Sequence, residues 1–96
     1  MTYFGKIILV STSAYSPERD HQFLQDLIAA RIALFCATGV GAKDWEDALD
    51  WACVGDGRGE HTIVTAVHED ESLAEVVEFA EQFPTSSQDR PQIIHR

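Results

Sequence analysis

Lys6-Ile7-Ile8-Leu9-Val10-Ser11-Thr12-Ser13 is the stretch that decides the fold. The run is apolar almost without a break and ends in small polar residues. A strand with one face in water would alternate apolar with polar. This one keeps no face for water, so it belongs to a sheet covered on both sides, which is the habit of parallel sheets with crossover helices.

The chain on either side agrees. Ser16-Pro17-Glu18 starts a helix with a Ser cap, Pro in the first turn and an acid beside it, and Phe23, Leu24, Leu27 and Ile28 continue at helical spacing to about Ala30. Ile32–Ala37 reads as a second buried strand and Thr38–Ala42 as a turn. A second helix covers about Lys43 to Cys53, with Trp45, Ala48, Leu49 and Ala52 on its core face. Gly55-Asp56-Gly57-Arg58-Gly59 stops that helix and is expected to be the most mobile internal loop. The β-branched run His61–Val67 predicts a third strand. Ser72 and Glu75 have capping-box spacing ahead of Leu73, Val76, Val77 and Ala80, and this third helix ends before Pro84. Thr85–Asp89 is a polar loop, and Gln92–His95 a short last strand. The order βαβαβαβ predicts an α/β fold: one domain over residues 1–96, an open, mainly parallel, Rossmann-like sheet of three to four strands, and three helices.

Composition narrows the function. The chain has 96 residues, 45% of them hydrophobic, with a formal net charge of -9. That is one domain's length, with enough apolar content to fold rather than to form an acidic tail. The charge argues against nucleic-acid binding, which needs Lys and Arg against phosphate. No stretch approaches the roughly 18–20 apolar residues of a membrane span. Cys36 and Cys53 are too few for a disulfide framework and read as buried thiols, so a cytoplasmic setting is expected.

An open parallel sheet gathers its ligands beyond the carboxyl ends of the strands. Candidate ligand-binding residues there are Ser11, Thr12 and Ser13, then Gly39 and Gly41, then His68. With strand order 2-1-3-4 the first group would face His68 and Glu69. The glycine turn is only GxG and lacks the Lys-Ser/Thr of a phosphate loop, and Asp44, Glu46 and Asp47 follow it. No Cys/His pair has metal-ligand spacing, and no nucleophile elbow is present. The sequence therefore leans away from an enzyme and implies no cofactor and no metal.

The charge has an address. Asp44–Glu81 holds twelve acids against one base, Arg58, for -11, while the remainder carries +2. The second and third helices are expected to form one negative face. On the second helix Asp44, Asp47 and Trp51 fall within about 60° of each other, off the core side. An aromatic ring among acids is the composition of a protein-binding anchor. The leading expectation is a non-catalytic module that engages a basic protein partner through Asp44, Asp47 and Trp51, with an immunity or antitoxin-like role as one form of it. The alternative is a small-ligand or nucleotide-binding domain, or a small enzyme, at the strand-end crevice. Self-association as a homodimer, through Trp51 or an edge strand, is compatible with each.

Ile32–Ala37, Trp45–Gly55, His68–Leu73 and Val76–Ala80 together resemble a family of small uncharacterised bacterial α/β proteins, a domain of unknown function. The resemblance covers about two-thirds of the chain and implies no activity. Asp47-Ala48-Leu49-Asp50-Trp51 is also loosely similar to the acidic, Trp-bearing helix that barstar-like ribonuclease inhibitors present to a basic enzyme. The strand at Ile32–Ala37 is additional to that pattern, so the similarity is one of surface.

Overall fold

The computed structural model describes residues 3, 5–55, 63–84 and 90–96, without the side chains of 54 and 55. The glycine-rich stretch after Gly55, the expected strand start at His61 and the polar loop at 85–89 lie outside the described residues, as do Asp56 and Glu60 of the acidic segment.

Among the described residues seven elements alternate: β1 (Lys6–Ser11), α1 (Pro17–Ala29), β2 (Leu34–Gly39), α2 (Ala42–Gly55), β3 (Val64–His68), α3 (Leu73–Gln82) and β4 (Gln92–His95). The four strands form one parallel sheet in the order β3-β2-β1-β4. β2 therefore lies between β1 and β3, and the order 2-1-3-4 does not occur. The reason is apolar content. β1 and β2 are buried along nearly their whole length and take the centre, while β3 and β4 are mostly half-buried or exposed and take the edges.

Strand order also fixes the layers. The crossovers β1 to β2 and β2 to β3 step one way across the sheet, and β3 to β4 steps back. Right-handed crossovers then place α1 and α2 on one face and α3 on the other. Packing agrees. Ile7, Leu9, Phe35 and Ala37 meet Phe23, Leu24 and Leu27 of α1 and Trp45 and Leu49 of α2. The alternate residues Ile8, Leu34 and Cys36 meet Val76 and Ala80 of α3. The acids of α2 and α3 thus lie on opposite faces of the sheet, not on one negative face.

The helix starts differ in chemistry. Ser72 caps α3, accepting from the Glu75 amide at 3.3 Å as the spacing predicts. Ser16 occupies the cap position of α1 but its hydroxyl caps nothing. The Asp20 carboxylate instead accepts from the Ser16 amide at 3.0 Å.

Candidate functional site

Strand order 3-2-1-4 puts the crevice of the sheet between β1 and β4, where successive crossovers diverge to opposite faces. The chain fills that place with its own groups. The Arg96 amide donates to Val10 O at 2.9 Å, and the Thr12 amide and hydroxyl donate back to Arg96 O. Asp20, wholly buried, accepts from Arg96 Nη1 at 2.9 Å and from Arg19 Nη2 at 2.6 Å. The Arg96 guanidinium lies 4.3 Å from the Phe23 ring centre. Burial works to raise the Asp20 pKa. The hydrogen bonds from Arg19 and Ser16 and the charges of Arg19 and Arg96 outweigh it and hold the carboxyl below the ordinary aspartate range. Nothing in the residue pattern of the first helix marked Asp20 as buried.

The three candidate segments for a small ligand are not brought together at one point. Ser11 is buried, accepts from Trp45 Nε1 at 2.9 Å and donates to Ser13 O. Its hydroxyl is therefore engaged at both ends, while Thr12 is exposed. Gly39 and Gly41 both sit at positive φ, +92° and +66°. A Cβ at Gly39 would lie 2.3 Å from Ser11 O, and one at Gly41 would lie 2.7 Å from Ala14 Cα. Both glycines let the turn pass close to the loop after β1. His68 stands two strands away from Ser11, at the end of β3.

His68 has its own surroundings. Its ring is buried, with Nδ1 2.8 Å from Glu71 Oε1, and its carbonyl accepts from Thr38 Oγ1 at 2.8 Å. The ring centre lies 4.8 Å from that of Phe79. Nε2 is buried and has no hydrogen-bond partner among the described residues. The acid that reaches this histidine is Glu71, three residues on, rather than Glu69 or Asp70. Cys36, behind this site on β2, is a buried thiol. Burial first and the Glu71 charge second push its pKa up to about 12, against a smaller opposing pull from Lys6. No disulfide joins it to Cys53, which is half-buried.

α2 separates its two tryptophans. Trp45 is wholly buried, its ring edge-on to Tyr15 and Phe23. Trp51 is 75% exposed. Asp44 and Asp47, on the same side of the helix, are exposed with it. Lys43 pairs with Glu46 at 2.9 Å and with Asp47 at 3.3 Å. Carboxylate oxygens of Glu46, Asp47 and Asp50 lie within 4.8 Å of one another on the neighbouring flank. Among the described residues no helix is long and apolar enough to cross a membrane.

Residues 1–94 match the model of the family described as "Domain of unknown function (DUF7684)". Comparisons with curated proteins and with solved structures give no match.

Proposed function

We propose, for a chain that belongs to the DUF7684 family, a role as a non-catalytic protein-binding module whose α2 engages a basic partner through Asp44, Asp47 and Trp51. The observation that carries this reading is Trp51, an indole left 75% in water on the same helix that buries Trp45. A large ring held on a rigid helix loses little entropy when a partner covers it, and such residues commonly anchor interfaces. The exposed acids beside it would steer a basic protein in and would disfavour an acidic one. A basic toxin or nuclease held inactive by the chain is one partner of this chemistry.

The test is capture of partners on the immobilised chain from a lysate of the source cell, with each bound protein identified. The double variant Asp47→Lys, Trp51→Ala changes two exposed residues and should keep the fold. It is expected to lose a basic protein that the unaltered chain retains. Equal capture by both chains removes the reading.

One observation favours a second reading, a small ligand at His68: the buried Nε2 without a partner among the described residues. A ligand donating a hydrogen bond there would raise the melting temperature of the unaltered chain and not that of His68→Leu.

A further inference from the structure

The edge of the sheet at β3 has a chemistry distinct from the Trp51 side of α2. β3 pairs only with β2 among the described residues. The Val64 amide donates to Ala33 O, so Val64, Ala66 and His68 turn their backbone groups toward β2. In a parallel ladder the intervening residues turn theirs the other way. Thr65 and Val67 therefore present N–H and C=O outward, as an open template for another strand.

The two sides of that edge differ. Toward α3 lie Val64, 42% exposed, and Phe79, 40% exposed and packed on the His68 ring. Toward α2 lies Asp50, whose Oδ1 accepts from Thr65 Oγ1 at 3.2 Å, with the carboxylates of Glu46 and Asp47 beside it. Glu69, Asp70 and Glu71 follow at the carboxyl end of the strand. The α2 side thus sets carboxylates beside the middle of the strand, while the α3 side offers apolar surface at Val64 and Phe79, with Glu71 at the strand's carboxyl end. Side chains of an extended strand alternate between two such sides.

We propose that the β3 edge accepts an extended segment of a partner protein as a fifth strand, and that this segment alternates basic with apolar residues. The basic side chains lie against Asp50 and its neighbours, and the apolar ones cover Val64 and Phe79. Main-chain hydrogen bonds from Thr65 and Val67 supply the pairing, and the alternation supplies the register. A second copy of the chain pairing β3 with β3 would set acids against acids. Beside β4 stands Arg90, an exposed cation that does not favour a basic segment. Asp50 and Trp51 point about 100° apart on α2; the two surfaces share Asp47, and Trp51 belongs to the α2 surface alone, so its removal separates them.

The test uses the full chain and two peptides of equal composition, one alternating Lys and Val and one with the Lys and Val residues in separate blocks. The alternating peptide is expected to bind at least about tenfold more tightly than the block peptide, a difference of about 1.4 kcal/mol. It should slow hydrogen exchange at the Thr65 and Val67 amides. Val64→Lys, a change at an exposed position, should abolish that preference, and Trp51→Ala should leave it intact. Equal binding of the two peptides, no binding of either, or unchanged exchange at Thr65 and Val67 overturns the proposal. A concentration-dependent mass of the chain alone that Val64→Lys abolishes would assign the edge to a second copy, and would overturn it too.

Discussion

The indole N–H of Trp45 donates to Ser11 Oγ at 2.9 Å and to Ser13 O at 3.1 Å, joining the core face of α2 to the loop that leaves β1. A tryptophan and a serine that read separately as core filler and ligand candidate form one buried contact. The same helix then carries Trp51 outward.

The two tryptophans should respond oppositely to substitution. Trp45→Phe keeps most of the ring but leaves Ser11 Oγ and Ser13 O without this donor. It is expected to cost about 1–3 kcal/mol of unfolding free energy. Trp51→Ala removes a side chain that is mostly in water and should change stability by less than about 0.5 kcal/mol. Urea unfolding of both variants checks the contrast. Equal losses would mean that Trp51 packs against the fold.

Gly39 carries a second prediction. Its φ of +92° and the approach of Ser11 O leave no room for a side chain. Gly39→Ala should destabilise the protein by at least about 2 kcal/mol, since backbone strain and a backbone clash add. A melting temperature equal to that of the unaltered chain would show that the turn can move aside.

Asp20 predicts the acid limb of stability. Its pKa is depressed in the fold, so its contribution is present above the ordinary aspartate value, about 3.9, and is lost as pH falls through the lower folded value. Asp20→Asn should therefore lower stability at neutral pH by roughly 1.5–3 kcal/mol and flatten its decline below about pH 4. Parallel pH profiles for both chains would contradict this assignment.

Cys36 should be inert. Its burial and its pKa of about 12 deny it the thiolate that reacts. A thiol reagent at pH 8 is expected to modify Cys36 only as fast as the protein unfolds. Rapid labelling of Cys36 in the folded chain would show that β2 opens locally.

The sequence made some of this legible and hid the rest. Continuous apolar runs mark β1 and β2, and Ser72 with Glu75 marks the start of α3, because such signals act over one element. The strand limits shift by a few residues: β2 runs to Gly39 rather than Ala37, since its ladder with β1 continues through Ser11↔Gly39. Strand order is a long-range competition for the centre of the sheet and leaves no local mark. Without it the acids of α2 and α3 look like one surface and His68 looks close to Ser11. The stripe Asp44, Asp47, Trp51 was visible because helical spacing alone sets which residues share a side. The buried Asp20 and the His68–Glu71 pair depend on contacts that spacing suggests only weakly.

The most direct test of the central claim reads Trp51 itself. In a Trp45→Phe chain Trp51 is the sole indole, and its emission in the free protein should be that of a solvated ring. Titration with the basic protein captured by the unaltered chain is expected to shift that emission to the blue, with an affinity that falls as salt rises. Binding that leaves the Trp51 emission unchanged, or that is indifferent to salt, would contradict the assignment of Asp44, Asp47 and Trp51 as the partner surface.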